Sequence, residues 1–198
     1  MLTAAVEVFA EHGFHAASMD EIAARAGISK PMVYAYLGTK DELFLACLRR
    51  EATGVMEAIA GAAEPDLPAD EQLWRGLRAF FGYVREHRDG WRVLHRKSRG
   101  HESVAAELAR MRIRIVEVVC VLLARMVVAG GVQPRQTDLT PMAYALVGAC
   151  ESMADWAVEQ DSEPADVTAT RLMNVIWVGT AELLRGTTWT PSGARDMA

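Results

Sequence analysis

The 198-residue sequence predicts an all-α fold in two parts: a small N-terminal three-helix unit built on a helix-turn-helix, and a larger C-terminal helical bundle. Three observations predict it. Apolar residues recur at i, i+3 and i+4 along almost every periodic segment, and the alternation of a half-buried strand is absent. The segments are separated by turn chemistry, "RDG", "RGHE", "AGGVQPRQTD" and "DSEPAD". The stretch "GAAEPDLPAD" at 61–70 marks a change from short, closely spaced helices to long ones.

The first helix is expected from Leu2 to His12, with Ala5, Val6, Phe9 and Ala10 as its apolar stripe and Gly13 as its stop. Ser18 followed by Glu21 has capping-box spacing and opens "MDEIAARA", which Gly27 ends. Ser29 is placed to cap a third helix, with Pro31 in its first turn, where a missing N–H costs nothing. Thr39 and Glu42 form a second capping-box pattern and open a helix from Lys40 to Ala62. Further helices are expected at 71–87, 91–98, 103–129, 139–160 and 165–185. These elements divide into a helix-turn-helix domain at 1–45, a body at 46–186 and a flexible tail at 187–198.

Composition excludes several classes. With 51% hydrophobic and 24% charged residues the chain is an ordinary folded domain, long enough to bury a core without cross-links. Cys47, Cys120 and Cys150 are widely spaced, so neither a disulfide framework nor a zinc site is expected, and a cytoplasmic location fits. The most apolar run, "IVEVVCVLLARMVVAGG", is interrupted by Glu117 and Arg125, so no membrane span is expected. A net charge of −5 argues against indiscriminate nucleic-acid binding while leaving room for a local patch.

The short helix in "AGISKPMVYAYLGTKDEL" carries more than its own core can use. Val33 and Leu37, four apart, supply its buried face, opposite Ile22 and Ala23 with Phe9 beneath. Lys30, Met32, Tyr34, Ala35 and Tyr36 are left on other faces. A helix and tight turn leading into such a segment is the helix-turn-helix pattern, whose second helix enters a major groove about 12 Å wide. Small Ala35 permits close approach, Met32 suits thymine methyls, and Lys30 reaches guanine acceptors or a phosphate. Tyr34 and Tyr36 can donate to phosphates, and Lys40 adds charge. The helix starts at Ser18 and Thr39 offer N–H groups to phosphate. Spacing alone fits an ordinary helical corner with two half-exposed tyrosines equally well.

The stretch "AAVEVFAEHGFHAASMDEIAARAGISKPMVYAYLGTKDELFLACL" resembles the DNA-binding region of the TetR family of repressors. The resemblance covers residues 1–50. It rests on Phe9, Gly13-Phe14, Ser18-Met19, Ile22-Ala23, the turn Ala26-Gly27-Ile28-Ser29, then Tyr34, Tyr36-Leu37 and Lys40 before Leu43-Phe44. It implies that Lys30, Pro31, Met32, Tyr34, Ala35, Tyr36 and Lys40 face DNA, with Ser18 and Thr39 near phosphates. Two departures stand out. The family usually has a basic segment ahead of its first helix, whereas residue 1 here already lies at that helix, so a true start upstream is one expectation. The 1–50 unit also holds five Lys/Arg against six Asp/Glu, a formal charge of −1, which predicts few phosphate contacts and a shallow salt dependence.

For the body the resemblance implies a layout: helices around an effector pocket, then two that pair with a second subunit. In the 139–160 helix, Met142, Leu146, Ala149, Met153 and Ala157 form one stripe and Ala143, Val147, Cys150 and Ala154 a second. The 165–185 helix repeats this with Leu172, Val175, Ile176, Gly179 and Leu183. A homodimer through these two helices is expected, reading a pseudo-palindrome of double-stranded DNA with recognition helices about 34–36 Å apart; the competing reading is the internal core of a monomer. Trp74, Phe81, Trp91, Met111, Ile115, Val118 and Tyr144 are the expected pocket wall, with His95 as a polar contact, and Phe80, Leu94, Leu122, Trp156 and Arg92 as further candidates. Such stripes are core more often than ligand wall. The adaptable aromatic and Met surfaces favour a small apolar or aromatic effector. The basic run "REHRDGWRVLHRKSR" is a solvated face or a route for coupling ligand to DNA.

No GxSxG, HExxH, P-loop or GxGxxG occurs, and no paired Glu-x-x-His supports a di-metal bundle, so neither enzyme, cofactor nor metal is expected. The function these readings favour is a ligand-responsive transcriptional repressor, released from a palindromic operator by a small hydrophobic molecule. The alternative is a helical ligand-binding or interaction protein whose DNA unit is weak or vestigial.

Overall fold

A computed structural model describes residues 1–97, 102–129, 139–160 and 163–184. Helices α1 (Leu2–Ala16), α2 (Met19–Ala26) and α3 (Lys30–Leu37) form the N-terminal unit together with the start of α4 (Lys40–Gly61). Helices α5 (Ala69–Glu86), α6 (Arg88–Arg92), α7 (Glu102–Ala129), α8 (Leu139–Glu159) and α9 (Ala165–Leu184) build the body, with a π-helical turn at Val93–Lys97 running on from α6. Strands are absent among the described residues, and no described helix is long and apolar enough to cross a membrane. The expected tail at 187–198, the breaks at 98–101 and 130–138, and the side chains of Leu37 and Leu183 lie outside the described residues, as does anything about Gly179 beyond its place in α9.

Local chemistry sets the element ends. The α1 trace breaks its helical geometry at Gly13, the expected stop. At α2 only half of the expected capping box forms: Ser18 Oγ accepts from the Asp20 N–H at 3.2 Å. Glu21 is drawn off instead to Arg25 at 2.9 Å and His12 at 3.2 Å. Ser29 caps α3 without its side chain, its carbonyl accepting from Met32 and Val33. Thr39 and Glu42 complete a reciprocal box, and the Thr39 backbone N–H, at 2.7 Å, holds the Glu42 carboxyl below its usual range. Gly38 (φ 65°) takes the left-handed region there, and a methyl group at 38 would strike Glu42 Oε2.

The "RDG" break is displaced. The chain turns at His87 (φ −119°, ψ 47°), whose ring stacks on Tyr83 at 4.0 Å, and Arg88–Arg92 is already helical. Gly90 is there for space rather than for a turn, because a side chain at 90 would collide with the Glu51 carboxylate.

Two apolar clusters result. One gathers Phe9, Ile22, Val33, Phe44 and Leu48, all fully buried, with Phe9 and Phe44 edge to face at 4.8 Å. It does not stop at residue 45: Cys47, Leu48, Val93 and Met111 belong to it, and the expected domain boundary falls inside the continuous helix α4. The second fills the body between α4, α5, α7, α8 and α9, around Phe80, Phe81, Trp91, Leu123 and Val147. Within α8 the stripe of Ala143, Val147 and Ala154 faces inward, whereas Met142, Leu146 and Met153 are half-covered.

Between the clusters sits a buried carboxylate. Glu51 is 2% exposed. Arg50 donates to its Oε1 from Nε at 2.9 Å and Nη2 at 2.6 Å, and Tyr83 Oη donates to Oε2 at 3.2 Å. Arg50 Nη1 also donates to Thr3 Oγ1 at 3.1 Å, so one network ties α1, α4 and α5. Burial and the adjacent Glu51 charge push the Tyr83 hydroxyl up to about 12. Arg49 adds a second tie, donating to Glu107 of α7 at 3.1 Å.

Removing the carboxylate leaves Arg50 and Tyr83 without their acceptor. Glu51→Ala is expected to lower the unfolding free energy by about 3 kcal/mol, the low end for a broken buried ion pair because Arg50 keeps a third of its side chain in water. Tyr83→Phe is expected to cost about 1 kcal/mol. Urea denaturation followed by circular dichroism measures both.

Candidate nucleic-acid interface and internal cavity

Helix α3 is eight residues long, too short to persist alone. Val33, fully buried, anchors it to the cluster beneath. Lys30, Pro31, Met32, Tyr34, Ala35 and Tyr36 are all exposed, with Met32 at 43%, Tyr34 at 45% and Tyr36 at 70%. The two-turn helix thus presents one thioether, two phenols and a small residue on a single rigid support, uncovered by the described chain.

The expected charges are placed less simply. Lys30 Nζ donates to Asp20 Oδ2 at 2.8 Å, which holds its pKa above the usual lysine value. An exposed pair of this kind contributes roughly 0–1 kcal/mol, so a phosphate can compete for the ammonium. Lys40 is partly buried. It donates to the His15 carbonyl at 3.1 Å and lies over the Phe14 ring at 4.9 Å, and desolvation lowers its pKa. It serves first as a clamp between the start of α4 and the end of α1. Ser18 and Thr39 stand at the starts of α2 and α4, with their oxygens engaged by Asp20 and Glu42.

Glu11, His12 and Glu21 bring ligand-type atoms within 4.8 Å of one another. Arg25 already supplies the positive charge there, bonding both Glu11 and Glu21 at 2.9 Å.

The body holds a partly open cavity of about 540 Å³, within the range of small-molecule sites. Its wall is mostly aliphatic, from α4, α5, α7 and α8, with Trp91 and His95 stacked at 3.9 Å on one side. Trp91 Nε1 donates to Asp155 at 3.0 Å, which fixes the indole. Of the expected wall residues, Trp91, His95, Met111 and Ile115 line the space, as do Phe80, Leu94 and Leu122.

Four do not. Trp74 points into a groove beside α9, donating to Thr170 Oγ1 at 3.1 Å under Arg78. Phe81 is core behind Phe80. Val118 lies on the outer face of α7. Tyr144 is exposed, its ring near the Arg112 guanidinium at 5.7 Å. Trp74, Phe81 and Val118 each sit one residue from a lining position and Tyr144 sits two from Leu146, a rotation that an apolar stripe does not resolve.

The polar residues of the wall escape a reading of stripes. Arg112 Nε and Nη2 donate to Glu151 at 3.0 and 3.1 Å, and that contact raises the Arg112 pKa. Cys150 beside them is pushed up to about 12 by burial. In the sequence Arg112 is one of several arginines on α7 and Glu151 one of several acids on α8, 39 residues apart, so nothing local marks them as partners.

The fold has counterparts among known proteins. Residues 1–47 match the family described as bacterial regulatory proteins, tetR family, and residues 69–179 match tetracyclin repressor-like, C-terminal domain. The HTH-type transcriptional activator FasR of Mycolicibacterium smegmatis is 38% identical over 94 residues, which cover 48% of this chain and 43% of FasR. The match thus spans less than half the length of that relative. A TetR-like transcriptional regulator from Rhodococcus sp. RHA1 superposes with a TM-score of 0.74 at 42% identity, over 91% of this chain and 93% of that one. FadR from Bacillus subtilis, solved in complex with stearoyl-CoA, shares the fold at a TM-score of 0.74 and 16% identity, over 94% and 97% of the two chains. Two consecutive matches, one to the unit carrying α3 and one to the body carrying the cavity, establish that this chain belongs to the TetR family of bacterial transcriptional regulators.

Proposed function

We propose that the protein is a ligand-responsive, sequence-specific DNA-binding repressor acting in the cytoplasm. The observation that carries this reading is α3: one buried side chain, and Met32, Tyr34, Ala35 and Tyr36 held outward with nothing of the described chain upon them. In the reading, α3 enters the major groove. Met32 and Ala35 meet base edges, Pro31 and Lys30 lie at the groove wall, and the tyrosine hydroxyls, Ser18, Thr39 and Lys40 stand toward phosphates.

A homodimer through α8 and α9 supplies two such helices. Val175 at 79% exposure, with Trp156 and Tyr144 on α8, supports that surface, since large apolar groups left in water favour burial against a partner. The effector is a small apolar molecule in the 540 Å³ cavity. FadR, of the same fold, was solved with stearoyl-CoA.

Coupling has a short path. Leu94, Leu108 and Met111 line the cavity and also pack against the cluster of Phe9 and Phe44. Helix α4 lines it with Ala52, Val55 and Ile59 and begins at the DNA-binding unit. An effector that binds better to the arrangement mismatched with the half-sites shifts the population by that differential affinity.

One observation favours the vestigial-unit alternative: the formal charge of −1 over 1–50, with Lys30 held by Asp20 and Lys40 by His15. Selection of bound duplexes from random DNA, repeated with a panel of hydrophobic compounds, decides between the two. A salt-dependent footprint on a palindrome, weakened by a compound, supports the repressor. Weak binding without a preferred sequence supports the alternative.

Met32→Ala combined with Tyr34→Ala is expected to weaken binding of the selected duplex roughly a hundredfold or more, two contacts of about 1–3 kcal/mol each. Circular dichroism and sedimentation are expected to stay unchanged. Asp20→Asn is expected to free Lys30, tighten duplex binding at low salt and steepen the log K against log salt slope by about 1; fluorescence anisotropy across a salt series reads this.

A further inference from the structure

The charged side chains of the cavity wall lie at one end only. Helix α4 starts at the DNA-binding unit, and Arg49 meets Glu107 at 3.1 Å, so the beginning of α7 lies at the end near that unit. Glu151 meets Arg112 near the same end, whereas Cys120 Sγ contacts the Leu139 carbonyl at 3.9 Å farther along. Helices α7 and α8 therefore run side by side in opposite directions. The α7 lining extends from Ala105 to Leu123, roughly 27 Å at about 1.5 Å per residue. The space is elongated along that helix.

The near end holds Arg112, Glu151 and His95, and the Arg112 side chain is 42% exposed. At the far end the wall is Ile59, Ala62, Leu73, Gly76, Val119 and Leu122. The polar lining residue there, Gln72, spends its amide N–H groups on the Pro65 and Leu67 carbonyls at 3.2 and 2.6 Å. An acceptor-only ligand group such as an anionic head meets no free donor at that end among the described residues, so it is disfavoured there by the cost of an unmatched buried polar group.

Arginine presents five N–H donors. Glu151 takes those on Nε and Nη2, and among the described residues no hydrogen bond uses Arg112 Nη1. Both Glu151 oxygens are already engaged. The unspent capacity at the near end is thus donor capacity on a cation.

We propose that the cavity receives an elongated amphiphile, its hydrocarbon tail running along α7 away from the DNA-binding unit and its anionic head on Arg112. This rests on the cavity being the effector site. The head then sits beside Leu94, Leu108 and Met111, the residues shared with the DNA-binding unit's core. Binding leaves the tail in hydrocarbon and gives the head a charge-assisted contact.

Calorimetry on the full chain, with probes below their micellar concentrations, tests this. Dodecanoate is expected to bind at least about tenfold more tightly than dodecanol. Arg112→Gln is expected to erase that difference. Glu151→Gln, which removes the competing carboxylate and leaves Arg112 in place, is expected to strengthen dodecanoate. Equal binding of dodecanol and dodecanoate, stronger binding of dodecyltrimethylammonium, or weaker dodecanoate binding in Glu151→Gln overturns the proposal. So does release of the selected duplex by a compact aromatic such as naphthalene while no chain compound binds, and that result leaves the effector-site reading intact. Dodecanoate binding that behaves as expected but leaves the duplex complex unchanged supports the ligand assignment and overturns the effector-site reading instead.

Discussion

An eight-residue helix anchored through Val33 borrows its shape from what lies beneath it. The cluster of Phe9, Ile22 and Phe44 is that support, and everything α3 offers to a duplex depends on it. The dependence frees the outward side chains. Met32, Tyr34 and Tyr36 contribute little to stability, so their identities can answer to a groove rather than to a core.

The same cluster is why the two parts of the chain are not independent. Val93 and Met111 from the body complete it, and Cys47 and Leu48 carry it past the end of the helix-turn-helix. Glu51, buried with Arg50 and Tyr83, adds a directional constraint that apolar packing alone lacks. An apolar contact slides at low cost, whereas a buried carboxylate that loses its donors is strongly penalised. In the proposed mechanism the apolar layer is the part able to shift with the cavity, while the polar network limits the angles through which the unit can turn.

Much of the architecture is legible in the sequence because it is local. Capping and periodicity place Thr39–Glu42, Gly13, Gly27 and the long helices within a few residues. Legibility fails where a residue answers to something distant in sequence. Gly90 reads as a turn but yields space to Glu51; Glu21 reads as a cap but is claimed by Arg25 and His12. Lys40 reads as a surface charge but spans to the His15 carbonyl. Half of the expected cavity wall is right in helix and wrong in rotation, since a stripe gives a face only to within one step. Arg112 and Glu151 are invisible there because a pair split between two helices leaves no local pattern.

Trp91 and Val93 are two positions apart in one short helical segment, yet the first belongs to the body's cluster and the second to that of the DNA-binding unit. Each residue added to a helix rotates the downstream turns by about 100°. An insertion or deletion within Gly90–Val93 would therefore swing the indole or the isopropyl group out of its own compartment. Reshaping the cavity without disturbing the neighbouring core therefore calls for point replacements along α7 and α8, because this segment has two tenants, one on either side, and a change in its length would evict one of them.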